Sequence, residues 1–418
     1  MFKHILYFPK NFYWGSSTSA HQVEGGNFND WTEWEKENAE RLAREAKNKY
    51  QSWQVKKFPE MLTPENYVSS RACDHYNRYE EDFDIARSLG HNAHRFSLEW
   101  SRIEPEEGKF NEEAIEHYRK MLEVLKRCGL EPFITIWHWT LPLWMAKKGG
   151  IESDEFPRRF SLFAERIAKE FKKEVKFWIT INEPTVILAN SYLLGIWPPQ
   201  KKDVFSFSKV YKNLAETHVK SYQAIHKIDP NCQVGLVHNV KFIEPKYWFC
   251  VFDQLASRIY RYLSNDKILK MIADNCDFIG CNYYFHDKIR FYVGRVKTNE
   301  ETTDMNWEIY PEGMYRVLKD LQKYDKPIYI TENGLADEED MKRNRFIKEH
   351  LYWAHKAIVE GVEVRGYFHW SLLDNFEWDK GFWPRFGLVA VDRKTLKRTV
   401  RKSAWEYAKI CKSNSLNF

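Results

Sequence analysis

FWITINEP, residues 177–184, begins as a strand and ends as something else. Phe177, Trp178, Ile179 and Ile181 are aromatic or β-branched, types that fit a pleated sheet, and the run is apolar almost throughout, as in a strand covered on both faces. It closes on Asn182 and Glu183, and Pro184 stands where a proline opens a helix in its first turn. A doubly covered strand that runs straight into a helix is the repeating unit of a parallel α/β sheet. PIYITENG, residues 327–334, repeats the pattern: an apolar run, the carboxylate Glu332, then the turn signal Asn333-Gly334.

Working outward, similar short apolar runs occupy residues 12–17, 93–98, 132–138, 177–182, 233–238, 277–283, 327–332 and 365–370. Between them, residues 76–89, 111–127, 160–171, 210–228 and 343–359 carry apolar side chains at three- and four-residue spacing, the helical period. Eight strands, each leading into helical sequence, predict an α/β fold, a single (β/α)8 TIM barrel with elaborated βα loops. No linker or low-complexity tract divides the chain, so residues 1–418 are expected to form one domain. The charged segment 33–57 reads as a helical excursion in the first βα loop, with its charges on a wet face.

Strand ends matter most, because barrel active sites lie at the C-terminal rim. There stand Arg95, His138, Asn182 with Glu183, His238 with Asn239, Asn282 with Tyr284, Glu332 with Asn333, and His369 with Trp370. All of these are expected to converge.

Composition narrows the chemistry. The chain has 418 residues, 43% hydrophobic and 29% charged, as in a globular protein with a large core. Its 64 basic and 59 acidic residues leave a net charge of +5, and no long basic run is present to follow a phosphate backbone; a nucleic-acid partner is not expected. No stretch reaches the roughly 18–20 apolar residues of a membrane span, and the N-terminus lacks a secretory h-region. Seven scattered cysteines without a C-x-x-C pair read as reduced, buried thiols. A cytoplasmic protein with neither a membrane partner nor a metal is the expectation, and the oligomeric state is left open between monomer and homo-oligomer. Aromatic residues are abundant, with 17 Trp, 23 Tyr and 28 Phe. Most must be core, but Trp137-His138-Trp139 and Phe376-Glu377-Trp378 set rings beside polar groups, an arrangement compatible with carbohydrate.

Two rim carboxylates can hydrolyse a glycosidic bond. One protonates the leaving oxygen; the other attacks the anomeric carbon directly at a separation of about 5–5.5 Å, or through water at about 6.5–9.5 Å. Glu332 would attack if kept ionised by a cation such as Arg95, and Glu183 would be the acid if the charge on Glu332 raises its pKa.

At this point the chain resembles the family 1 glycoside hydrolases, which include β-glucosidases, β-galactosidases and 6-phospho-β-glycosidases. The resemblance runs from Phe12-Tyr13-Trp14-Gly15 to Phe386-Gly387-Leu388-Val389. It is carried by Gln22-Val23-Glu24-Gly25, Arg95-Phe96-Ser97, Trp137-His138-Trp139, Thr180-Ile181-Asn182-Glu183-Pro184, Asn282-Tyr283-Tyr284, the segment from Trp307 to Gly313, Thr331-Glu332-Asn333-Gly334 and the segment from Trp370 to Trp378. The resemblance implies a retaining mechanism without cofactor or metal, with Glu183 as acid/base, Glu332 as nucleophile, and Arg95 and Tyr284 as partners of the nucleophile. It further implies that Asn182 holds the sugar 2-hydroxyl and that Gln22, His138, Trp370, Glu377 and Trp378 grip the other hydroxyls, with Trp307 also in the binding site. The substrate is then a small carbohydrate carrying a terminal β-D-glucosyl, and also a galactosyl or fucosyl, group. Glu377, as a carboxylate, is expected to repel a 6-phosphate. Rival readings are a non-catalytic carbohydrate-binding barrel, which would need neither carboxylate, and an enzyme that mainly transfers glycosyl groups. The chain departs from many relatives in Gln200 where they carry Gly, in Thr140 where they carry Asp, and in a shorter segment from His238 to Asp277.

Overall fold

A computed structural model describes residues 5–296 and 300–417. The barrel strands are β1 Tyr13–Ser17, β2 Ala93–Ser97, β3 Glu131–Trp137, β4 Phe177–Asn182, β5 Gln233–Asn239, β6 Phe278–Asn282, β7 Ile328–Asn333 and β8 Val364–Trp370. Each lies within one residue of its expected span. All eight pair in parallel, each with its chain neighbour, and β8 pairs with β1 to close the barrel.

Alternation along the strands divides the core. Phe133, Phe177, Phe278, Tyr329 and Phe368 form one cluster with Ala93, Ile179 and Val237, and the rings of Phe133 and Phe177 stack at 4.2 Å. Interleaved residues such as Trp178, Val234 and Ile330 join the larger core shared with the helices. The strands approach closely at Gly15, where a Cβ would lie 2.3 Å from the Ala93 carbonyl oxygen, so only glycine fits.

The longer helices are α1 Asp30–Lys49, α2 His75–Ser88, α3 Glu112–Arg127, α4 Phe156–Phe171, α5 Val204–Ile228, α6 Val251–Arg261, α7 Glu312–Leu321, α8 Arg343–Val359 and α9 Lys402–Ser413. In α3 the Asn111 side chain accepts from the Ala114 N–H, acids occupy the first turn and bases the last, and Ile115, Tyr118, Leu122 and Leu125 face inward. Helices α4 and α5 start earlier than their apolar period suggests. Pro157 lies in the first turn of α4, and the Asp203 side chain caps α5 by accepting from the Ser206 N–H. Such signals are local and carry no periodicity.

Helix α1 corrects the expected wet face of the first loop. Trp31, Trp34, Leu42, Ala43 and Ala46 are buried, and so is Glu35, whose carboxylate lies 2.6 Å from His21. The exposed charges of this segment are real, but one side of it packs against the barrel mouth.

Candidate active site

Most of the strand ends expected to converge do so, and three turn aside. Arg95, Asn182, Glu183, Asn239, Asn282 and Glu332 meet in one hydrogen-bonded network. His238, Asn333 and His369 turn away, as the two-residue period requires of alternate positions. The His238 Nε2 donates to the Ser264 carbonyl at 2.9 Å, Asn333 bonds the Tyr283 carbonyl and the Tyr367 hydroxyl, and His369 packs toward Tyr407 on α9.

Both carboxylates stand where the strands break step. The β4–β5 register shifts between Ile179 and Asn182, and the β6–β7 register between Ile330 and Glu332. Such irregularities re-aim side chains at barrel rims. Glu183 also adopts φ 44°, a left-handed conformation that is unusual for a glutamate and held here as strands give way to helix.

Glu332 is buried, ion-paired to Arg95 Nη1, and accepts from the Tyr284 hydroxyl at 2.9 Å. Arg95 is itself held from two further sides: its Nη2 donates to Asn182 Oδ1 at 2.7 Å and its Nε to Thr135 Oγ1 at 3.1 Å. With Asn182 Oδ1 so engaged, the amide Nδ2 is directed at His138 Nε2, 3.0 Å away. Burial, with Arg95 and His21 nearby, drives the His138 pKa far below its ordinary value, so the ring is neutral and Nε2 accepts.

Glu183 has no cation of its own. One of its oxygens accepts from Asn239 at 2.9 Å and from Asn282 at 2.8 Å. Burial first, and then the charge of Glu332, push its pKa up to about 7, against the opposing pull of the two amides and Arg95. The two acids are thereby set apart: one is tied to a guanidinium, the other is protonated up to neutrality. Such a pair is what acid-assisted displacement requires.

The remaining expected residues lie around this network. Gln22 Nε2 donates to the Phe376 carbonyl at 2.6 Å and lies 3.4 Å from Glu377 Oε2. Trp378 stacks on His21 at 5.4 Å and on His138 at 5.8 Å, and Trp370 stacks beyond His138 at 6.2 Å. Trp307, partly exposed, meets Tyr284 edge-on at 5.9 Å. Glu377 differs from the charged group expected. Burial raises its pKa to about 8, Lys380 opposes, and Glu332, Asp379 and Glu183 add to the rise. The protonated form is thereby favoured around neutrality, and repulsion of a phosphate by Glu377 grows as the pH rises.

Several site residues carried no earlier assignment. Asn239 and Asn282 stood at strand ends, but their common target could not be read along the chain. Thr140 now has a role: its hydroxyl donates to the buried Glu99 carboxylate at 3.1 Å, where an acid would be repelled. Gln200 sits at φ 59°, which accounts for the glycine that many relatives carry there.

Residues 6–249 and 247–416 match the sequence model of Glycosyl hydrolase family 1. The chain belongs to that family. It is 32% identical to Beta-glucosidase A of Thermotoga maritima over 98% of each chain. Its fold superposes on a beta-glycosidase from Pyrococcus horikoshii with a TM-score of 0.88 at 37% identity, covering 99% of this chain and 97% of the other. A Thermotoga maritima beta-glucosidase solved in complex with glucoimidazole gives 0.85 at 31% identity, covering 98% and 99%. The present family member is thus a glycoside hydrolase built on the barrel that its sequence predicts.

Proposed function

We propose that this enzyme removes terminal non-reducing β-D-glucosyl groups with net retention, and accepts β-galactosyl and β-fucosyl groups in the same pocket. The observation that carries the reading is the asymmetry of the two buried glutamates: Glu332 bonded to Arg95 and Tyr284, Glu183 bonded only to neutral amides. A ligand such as glucoimidazole in a relative of this similarity supports a sugar pocket at the barrel mouth.

In the first displacement a Glu332 oxygen forms a bond to the anomeric carbon while the glycosidic C–O bond breaks, and the Glu183 proton passes to the departing oxygen. The glycosyl ester so formed is uncharged. Removal of the Glu332 charge removes a cause of the raised Glu183 pKa, and Glu183 becomes a better base. It then takes a proton from water as the water oxygen attacks the anomeric carbon and the Glu332 carboxylate departs. Asn182, anchored by Arg95, is suited to the sugar 2-hydroxyl. Gln22, His138, Trp307, Trp370, Glu377 and Trp378 bind the rest of the glycone. We take the chain as one catalytic domain acting in the cytoplasm on small carbohydrates, with no nucleic-acid partner.

The test is chemical rescue. Glu332→Gly should lose nearly all turnover of an aryl β-glucoside and regain it with azide, yielding the α-glucosyl azide; Glu183→Ala should yield the β-azide. The β-anomer from the Glu332 variant would reverse the assignment. No loss in either variant would discard the mechanism.

A further inference from the structure

Helix α6 is inside out. Its buried residues are Asp253 and Ser257, whereas Phe252, Leu255 and Ile259 project into solvent at 61%, 55% and 52% exposure. An amphipathic helix on a globular protein ordinarily turns its apolar stripe inward. The inversion is held by Asp253, whose carboxylate accepts from the Phe291 N–H at 2.8 Å and the Tyr247 N–H at 3.3 Å. These two bonds fasten the helix by its polar side to the segments that follow the strands Phe242–Pro245 and His286–Arg290. Around it the apolar surface continues through Trp248 at 79% exposure and Tyr292 at 96%. Scattered exposed apolar residues need no explanation, but a contiguous sheet of this kind marks an interaction surface.

Charge selects the partner. Residues 246–263 and 288–295 carry six basic side chains and one acidic one, and the acid is the buried Asp253. Lys246, Arg258 and Arg290 are exposed and form no salt bridge among the described residues. The other three cations, Arg261, Lys288 and Arg295, pair with Asp320, Glu244 and Asp287 at the border; aromatic and aliphatic groups beside three unpaired cations match an anionic lipid surface, where rings insert at headgroup depth and cations meet phosphates. A second copy docked on the same face would oppose like charges.

We infer that α6 and the hairpin around Tyr292 form a docking surface for a bilayer containing anionic lipid. The expectation of no membrane partner rested on the lack of a spanning segment, and no helix among the described residues is long and apolar enough to cross a membrane. Lying on a membrane needs no such helix. Placement gives the surface its meaning: α6 follows β5, which ends on Asn239, and the hairpin follows β6, which ends on Asn282. These two amides hold Glu183. Docking brings that side of the barrel mouth against the bilayer.

The test is co-sedimentation of the purified full chain with phosphatidylcholine vesicles, with and without phosphatidylglycerol. Wild type should sediment with the anionic vesicles and be released by salt. Lys246→Glu/Arg258→Glu/Arg290→Glu should weaken partition by at least about 10-fold, and Trp248→Ser/Phe252→Ser/Tyr292→Ser by about 10-fold or more. Both variants should hydrolyse a soluble aryl β-glucoside like wild type, which also reports their folding. Wild type remaining in the supernatant, or either variant binding undiminished, overturns the inference. So does a wild-type dimer that the serine variant loses while neither binds vesicles, which would assign the surface to contact between copies. If wild type binds vesicles but cleaves no glycoside, the proposed function fails and the docking surface stands.

Discussion

Asn239→Ala should move the alkaline limb of activity to higher pH. Asn239 and Asn282 each donate one hydrogen bond to the same Glu183 oxygen, at 2.9 and 2.8 Å. Both bonds favour the ionised form, since a carboxylate accepts more strongly than a carboxylic acid. Burial and the Glu332 charge act the other way, and the balance lies at about 7. Such a bond stabilises the carboxylate by about 1 kcal/mol more than the neutral acid, and 1.36 kcal/mol corresponds to one pH unit, so deleting one donor should raise the Glu183 pKa by roughly 0.7. The required assay is kcat/KM for an aryl β-glucoside across pH 5–9, because that ratio reports ionisations of the free enzyme. In wild type the alkaline limb should fall near pH 7, where Glu183 loses the proton that the proposed mechanism has it donate. In Asn239→Ala the limb should shift upward, leaving the variant relatively more active above neutrality whatever its peak rate. An unmoved or lowered limb would refute the claim that Asn239 stabilises the ionised acid.

Tyr284→Phe removes the hydroxyl that bonds Glu332 Oε2, and should lower kcat/KM roughly 10- to 100-fold with the fold intact by circular dichroism. Glu35→Gln breaks the buried contact with His21 and should cost about 3 kcal/mol in urea unfolding. Burial alone would depress the His21 pKa, but Glu35, Glu99 and Asp30 together raise it above its ordinary 6.5. The stabilisation is therefore complete below that value and is lost as pH rises through the raised one, so the deficit of the variant should shrink in alkaline buffer. Phe133→Ala empties one side of the stacked pair in the barrel and should destabilise by about 3–5 kcal/mol, measured as a lower urea midpoint with unchanged slope.

Strands such as Phe177–Asn182 and Ile328–Asn333 could be read from the sequence because each is covered on both faces and so is written as a mostly apolar run, which turns polar where the barrel opens. Helix α6 could not be read in the same way. Its period is helical, but period does not say which stripe faces inward, and that choice rests on Asp253 reaching the backbone of Phe291, 38 residues away. The site shows the same division. Glu183 and Glu332 announce themselves as carboxylates at strand ends, whereas their different partners, Arg95 and Tyr284 for one and Asn239 and Asn282 for the other, are delivered by β2, the segment after β6, β5 and β6. No local window contains that information. The raised pKa of Glu377 is the clearest case: the residue reads as a charge, and burial with three other acids nearby, Glu332, Asp379 and Glu183, favours its protonated form. A sugar hydroxyl can accept from such a donor as well as donate to its carbonyl oxygen. In the proposed function Glu377 would then bond hydroxyls of either orientation, which is the reason to expect glucosides and galactosides to share one pocket.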